Sequence, residues 1–573
     1  HDETSLRYGD NVAAVLNYIV RRHQTGGYIG INADIPMSCI WGNNNVTAKI
    51  NHKKSEWGIN YYGGYRSFKN YWRENSETFN FENDPSFTRV EEGIPDKVKM
   101  HWDNLTMSYS YQEEEKWFIN VALRGNFRGN KQNTQSTLYP ISNPANSVEM
   151  KDYTGSNSKS PSLDIYLQRN LKHNQAIILN TVGTYIHTYD DRTYEEKKHS
   201  DIVTDIYSAI RGKKYSFIGE GIYEKRFTNS KFSTGIRHQQ SLTENRYAGT
   251  SSAETQMQEA YTSTYVEYSC KVKKFNYSLG LQGSRSWFNQ EGEGYQQYSF
   301  LPRLRLTYNF SDHAFIRYQG DISRSTPALS DLNNVEQLID SLQIRRGNPT
   351  LKMSTVYNNT LNFDYRKGLF SGSLYLLYQY QRKPNMEETI RENDLFIRTI
   401  ANQRSWQKLN PEIEVKVGPF KDILSLSVTT GINYFDSRGH NYHHTYTNWY
   451  YRASIMASYK NWSSFFEIQN HRNDFYGETL RYGENYHILG INYRYKQLTA
   501  GIMGLNLFSD NYKVGSENFN SSAPSKNWMY IKESSRMIAV SIAWNFSFGR
   551  KYESAEKRLH NEDNNAGTLK SGK

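Results

Sequence analysis

Long hydrophobic runs are missing from this chain of 573 residues. Nowhere do 18 or more apolar residues follow one another, which excludes a membrane-spanning helix. Extended helical periodicity is missing as well. Cysteine is scarce, with Cys39 and Cys270 alone, and proline stands at 13, so no disulfide framework organises the chain. The net charge is +11, yet the basic residues are dispersed, with no basic helix and no recognition motif, which argues against a nucleic-acid partner. No Ser/His/Asp constellation, phosphate-binding Gly-rich loop, zinc-protease motif or paired-Cys motif occurs, so neither an enzyme nor a cofactor or metal site is expected. A signal peptide is absent and the first residue is His1, which reads as a mature, processed or truncated form.

What is abundant is tyrosine. Its 46 residues outnumber 26 Phe and 11 Trp together. A mean hydropathy of -0.81 resembles that of a soluble protein, for which 573 residues would suggest three or four domains. A β-barrel in a membrane gives the same average, because lipid-facing and lumen-facing residues alternate along each strand and Tyr collects at the interfaces. A Tyr-rich soluble β-sandwich is the alternative on composition alone.

Alternation decides between them. Ile538, Val540, Ile542, Trp544, Phe546 and Phe548 share one face, while Ala539, Ser541, Ala543, Asn545 and Ser547 share the other. Leu424 to Tyr434, Pro302 to Phe310, Phe370 to Tyr380 and Tyr28 to Ile35 repeat that split. Short polar turns, such as Lys53–Glu56, Lys273–Lys274, Lys460–Asn461 and Lys496–Gln497, alternate with long segments such as 67–99, 129–159, 188–212, 243–257, 324–353 and 509–535. Short periplasmic turns and long extracellular loops are the mark of an outer-membrane barrel. The fold class is therefore all-β, a transmembrane antiparallel β-barrel of about 22 strands. One extra segment, Asp201–Arg211, breaks the parity and is assigned to an extracellular loop. Cys39 and Cys270 then fall near opposite ends, and no disulfide joins them.

Three stretches carry a resemblance. Ser325-Thr-Pro-Ala-Leu followed by Arg346-Gly-Asn-Pro-Thr-Leu-Lys352, the close Trp544-Asn-Phe-Ser-Phe-Gly-Arg550, and the start from Arg7 to Arg22 together resemble the barrel of TonB-dependent outer-membrane receptors of the Bacteroides type. The resemblance implies integral residence in the outer membrane of a Gram-negative bacterium. It also implies a lumen-filling plug domain, a TonB-type energy-transducing protein acting through that plug, and in some cases a surface lipoprotein. Residues 1–26 are then the last strand of the plug, 27–549 the barrel, and 550–573 a disordered periplasmic tail. The plug itself is largely missing. The expectation is a fragment of a longer receptor, a plug on another polypeptide, or a barrel that has lost transport.

Candidate solute contacts lie on the lumen wall and in the loops. Arg303 and Arg305 share the polar face of one strand and Arg317 that of the next, a basic patch for an anionic solute. The favoured reading of that patch is wall charge that is solvated or paired with neighbouring carboxylates. Tyr71 with Trp72, Trp287 with Phe288, and Trp528 with Tyr530 offer rings for a sugar, peptide or siderophore, although packing between loops explains them more simply. His440, His443 and His444 lie close in one loop, without the closed ligand set that a metal needs. The functional reading is uptake of a scarce solute (siderophore, oligosaccharide or peptide), energised through a plug outside this chain. A scaffold in a multi-protein complex and a passive pore are the alternatives.

Overall fold

The computed structural model describes residues 25–37, 40–82, 85–113, 116–549 and 557–572. Residues 1–24, where the plug strand is expected, and Cys39 lie outside them. Twenty-two strands form the wall. They are β1 (Gly26–Pro36), β2 (Ile40–His52), β3 (Ser55–Phe79), β4 (Asp96–Glu113), β5 (Trp117–Pro140), β6 (Val148–Leu171), β7 (Gln175–Lys198) and β8 (Asp201–Arg226). Next come β9 (Ser230–Gly249), β10 (Ala253–Val272), β11 (Phe275–Gln290), β12 (Glu293–Ser311), β13 (Ala314–Ser325), β14 (Ser354–Lys367) and β15 (Phe370–Arg382). The last are β16 (Ser405–Phe420), β17 (Leu424–Arg438), β18 (His443–Tyr459), β19 (Trp462–Gln469), β20 (Tyr486–Tyr495), β21 (Leu498–Leu505) and β22 (Met537–Gly549).

Each strand pairs antiparallel with its neighbours, and β22 returns to β1 with Gly549 opposite Gly26, Trp544 opposite Ile31 and Ala539 opposite Pro36. The sheet is closed. Closure is what lipid demands, since a sheet edge in hydrocarbon leaves N–H and C=O groups with no partner.

The expected alternation takes a definite sense in space. Leu163, Ile165, Ile177, Leu179, Phe217, Leu279, Ile538, Ile542, Trp544 and Phe546 are exposed on the outside. Asp164, Asn180, Ser216, Ser233, Ser278, Arg303, Arg305 and Thr307 are buried inside. The apolar face meets lipid and the polar face lines the lumen.

The wall is uneven in height. β8 has 26 residues, about 85 Å of extended chain, where a spanning strand needs only about 10. More than half of it stands beyond the bilayer. On the opposite side β19 and β21 have 8 residues each, barely enough to cross. There the short strands Asp474–Tyr476, Thr479–Arg481, Lys513–Asn518 and Ser525–Ile531 build up the rim. The last of these pairs with the top of β3, Tyr71 opposite Ile531 and Glu77 opposite Ser525.

Two readings of the sequence are corrected. Asp201–Arg211 is no loop; it is the extracellular half of β8, joined to β7 by a tight turn with His199 in the left-handed region. Ile206, Ser208 and Ile210 continue the inward face, so the strand count stays at 22. The tail also differs from its reading as disordered and periplasmic. Residues 557–572 lie extended inside the barrel, with Leu559, Asn561 and Asp563 buried and His560 and Glu562 exposed.

The tight periplasmic turns place lysine where glycine fits better. Lys273, Lys460 and Lys496 adopt φ of 53°, 52° and 53°. A side chain there costs about 1 kcal/mol, part of which the greater freedom of glycine in the unfolded chain offsets. Lys273→Gly, Lys460→Gly and Lys496→Gly are each expected to add about 0.5 kcal/mol, read as a higher urea midpoint in lipid vesicles. A lower midpoint would show that these lysines make contacts worth more than the strain.

Candidate functional site in the lumen

Two extracellular loops fold into the barrel mouth. Residues 326–353 join β13 to β14, and 383–404 join β15 to β16. Their short strands Glu336–Leu338, Gln343–Arg346, Leu395–Asn402 and Asn385–Glu392 form a separate four-stranded sheet in that order. Gln343–Arg345 runs parallel to Phe396–Arg398.

The Gly-Asn-Pro motif is the clip between the loops. A side chain at Gly347 would collide with the Asn333 carbonyl, so the close approach requires glycine. The Asn348 backbone N–H donates to Asp331 O, and its side-chain Nδ2 donates to Ile400 O at 3.0 Å in the other loop. Asn348 Oδ1 accepts from the backbone and hydroxyl of Thr350. Lys352 and Asn402 close the joint reciprocally, at 2.9 and 3.0 Å.

Below the sheet, buried charges tie it to the wall. Arg89 donates to Glu77 at 2.9 Å and to Asp340 at 2.6 Å. Asp340 also accepts from Gln343 and from the Leu342 N–H. Arg73 meets Glu91 at 2.5 Å and Asp152 at 3.5 Å. Arg192 forks onto Asp152 at 2.8 and 3.1 Å and reaches Ile339 O with its remaining nitrogen. Alternating signs let each buried ion keep partners on two sides, without which its desolvation would be prohibitive. Apolar clusters flank the network, with Met257, Phe288, Leu329, Leu332 and Leu351 on one side and Phe79, Phe396 and Ala523 on another.

Beneath Thr326, Ala328 and Met353 lies a lumen cavity of about 560 Å³ against β8–β13. Lys214, Arg237, Arg303 and Arg324 border it, with Glu259, Asp321 and Asp563. Lys214, only 1% exposed, is held by Glu259 at 3.1 Å and Asp563 at 2.9 Å. Arg237 gives one nitrogen to Gln239, and its Nε is buried without a hydrogen-bond partner among the described residues. The cavity can hold a polar solute with negative charge at one end.

Of the residues singled out from sequence, Arg303 borders this cavity, with Asp321 opposite it in register. Arg305 shares its face but is clamped on Gln319, and Arg317 contacts Thr307 and lies over Phe315. Trp287 also borders the cavity. Tyr71 points inward, its hydroxyl between Met529 and Gln132. Trp72 stacks on Tyr530 at 4.9 Å, and Trp528 on Tyr482 at 4.8 Å with Lys513 over its ring. Rings expected in separate clusters thus pack on one another across the loops. His440, His443 and His444 diverge to Asn402 O, Asp436 and Glu478. Among the described residues no group of His, Cys, Asp and Glu could hold a metal ion.

Lys214, Arg237, Glu259, Arg324 and Asp563 were missed. The inward parity of β8, on which Lys214 alternates with Ser216 and Ile218, points to Lys214. Asp563 stood in a segment read as solvated.

Asp340→Ala removes a partner from Arg89 and from two other donors, a loss of about 2 kcal/mol of loop closure. Trypsin cleavage at Arg345 and Arg346 from the extracellular side is expected to quicken up to about 30-fold, with Asp340→Asn in between. Unchanged cleavage would mean the network does not hold the loop. The outer clasp is acid-sensitive. Arg346 bonds Glu336 at 2.6 Å and Glu392 at 2.7 and 2.9 Å, and its hydrogen bond holds the Glu392 carboxyl below the usual range. A lowered carboxyl stabilises the fold above its unfolded pKa, and that contribution is lost as pH falls below the usual carboxylate range through the lowered value. Hydrogen exchange of amides 385–402, corrected for intrinsic rate, is expected to rise modestly at pH 3.5, and Glu392→Gln to abolish the pH difference.

Solved structures with the same fold include transporters and a receptor. The FrpB iron transporter from Neisseria meningitidis superposes with a TM-score of 0.60 at 10% identity, over 92% of this chain and 81% of that one. The copper transporter OprC gives 0.64 at 10% identity over the same shares. The siderophore receptor PirA from Pseudomonas aeruginosa gives 0.52 at 12%, again over 92% and 81%. At such identities the likeness is one of fold. No curated protein matches the chain in sequence. The model of the outer membrane protein beta-barrel family matches residues 188–548, the greater part of the sequence, and the chain belongs to that family as an integral outer-membrane barrel.

Proposed function

We propose that this barrel takes up a scarce solute from outside the cell, binding it beneath the folded-in loops and releasing it to the periplasm. The observation that carries the reading is the lumen cavity bordered by Lys214, Arg237, Arg303 and Arg324 under a mouth closed by residues 326–353 and 383–404. A passive pore has no use for a mouth so densely tied. A structural scaffold has no use for a charged cavity under its loops. The known barrels that share the fold are described as carrying iron or copper or as binding siderophores, which supports the reading without selecting the solute.

The guanidiniums of Arg237 and Arg324 on the cavity border favour a solute with carboxylate, catecholate or phosphate oxygens, because each offers planar donors matched to such groups. Energy would come from an inner-membrane TonB-type partner through a plug domain, on this or another polypeptide, in the outer membrane of a Gram-negative bacterium of the Bacteroides type. A surface lipoprotein could deliver larger solutes to the loops. Trp72, Trp528 and Tyr530, engaged in stacking with neighbouring rings, are structural under this reading, while Arg303 and Trp287 contact solute.

The test is accumulation of labelled solutes in cells that carry the gene in its native setting, with a ferric siderophore, a malto-oligosaccharide and a tryptic peptide as probes. One probe should accumulate well above a deletion strain and lose that advantage with a protonophore. Arg237→Gln with Arg324→Gln should lower its uptake about tenfold or more, the loss of one charged hydrogen bond being about 1.5 kcal/mol. Uptake indifferent to the protonophore would sink the energised reading.

A further inference from the structure

The inner wall of β5–β9 carries a stripe of charged and polar groups, of which the solute cavity above shares Lys214 and Arg237. Residues 557–572 run along it from the periplasmic third of the lumen to the underside of the folded-in loop. Lys557 pairs with Asp164, which also takes Arg124 and Asn180. Arg558 meets Glu224 at 3.2 Å. Leu559 is buried among Phe118, Tyr166, Ile178 and Ile222. Asn561 donates to Asn180 at 2.9 Å and to Glu220 at 2.7 Å, while its carbonyl accepts from Arg124. Asp563 pairs with Lys214. Higher up, Asn245 donates to Gly567 O, the Leu569 N–H donates to the Tyr247 hydroxyl, and Lys570 meets Asp190 at 2.5 Å. Ser571 donates to Leu338 O in the loop and accepts from Arg192.

Three features distinguish this from a tail caught at random. Ion pairs recur along it, at Lys557, Arg558, Asp563 and Lys570. The contacts repeat along the whole segment, with Leu559, Asn561 and Asp563 pointing to the wall in strand alternation. The wall supplies matched groups for side chain and backbone alike, which is how an extended peptide is recognised.

We propose that the inner wall of β5–β9 is a docking site for an extended peptide with cations towards its two ends, and that residues 557–572 are its resident occupant, stoppering that side of the lumen. The segment is an internal ligand. It spans the lumen and ends on the same Arg192 that anchors the folded-in loop, so its release opens a path beside the cavity and removes a support of the mouth. The proposal does not rest on solute uptake, since it concerns what fills the lumen and is read without any transport.

The test uses the full chain reconstituted in planar lipid bilayers. The charge-reversed variant Lys557→Glu/Arg558→Glu/Lys570→Glu should conduct severalfold more than the unaltered chain. A synthetic peptide of sequence 557–572 added to that variant should restore the low conductance, and the same peptide carrying the three reversals should not. Because these positions follow the closing strand, β22 still pairs with β1 and the barrel persists. Independently, Glu220→Cys/Asn561→Cys in a Cys39→Ser/Cys270→Ser background should form an intrachain disulfide on oxidation. Equal conductance of the two chains, failure of the peptide to block, or absence of the disulfide would each overturn the proposal.

Discussion

Everything in this molecule depends on one requirement, that no backbone N–H or C=O is left unpaired in hydrocarbon. A spanning sheet meets it only by returning to its own first strand, as β22 does to β1. Once closed, the sheet has two unlike faces. Outside, solvation by lipid selects Ile, Leu, Phe and Trp. Inside, the lumen is too wide for wall side chains to fill, so polar groups there must find partners on other segments or in water.

That interior demand explains why loops enter the barrel. Arg89 and Arg192 project inward from the rim and the tall strands, and the folded-in loop brings Asp340 to the first and the carbonyls of Leu338 and Ile339 to the second. The gain from such a network is modest in net terms, because each ion gives up hydration. Its value lies in geometry, since removing one member leaves another charge buried and alone. The Gly-Asn-Pro clip acts at the same joint by a different means. It uses backbone approach and carboxamide bonds, which do not depend on pH, whereas the Arg346 clasp does.

The tail answers the same demand from the periplasmic side. Lumen carboxylates at Asp164, Glu224 and Asp190 gain counter-charges from it, beside the wall's own Arg124 at Asp164 and Lys231 at Glu224. Cations spaced along one extended segment neutralise them in turn, and Leu559 covers the apolar Phe118–Ile222 cluster. Loop sheet and tail meet at Arg192 and Leu338, so the two fillings of the lumen form one packed body.

What the sequence determined by itself was local and periodic. Alternation at Ile538–Phe548 and Leu424–Tyr434 specified strands and their faces, and turn spacing specified hairpins, because each pairing joins neighbours in the chain. It also placed Arg303, Arg305 and Arg317 on one face, since register carries through a single hairpin and its neighbour. Only the tertiary structure decided which of them meets open space. Arg303 borders the cavity and Arg305 does not, a difference set by what Gln319 offers from across the strand pair. The same holds for Trp72 with Tyr530, for Arg89 with Asp340 and for Lys557 with Asp164. These partners lie hundreds of positions apart, and no periodicity links a residue to a counter-charge brought near it by closure of the barrel.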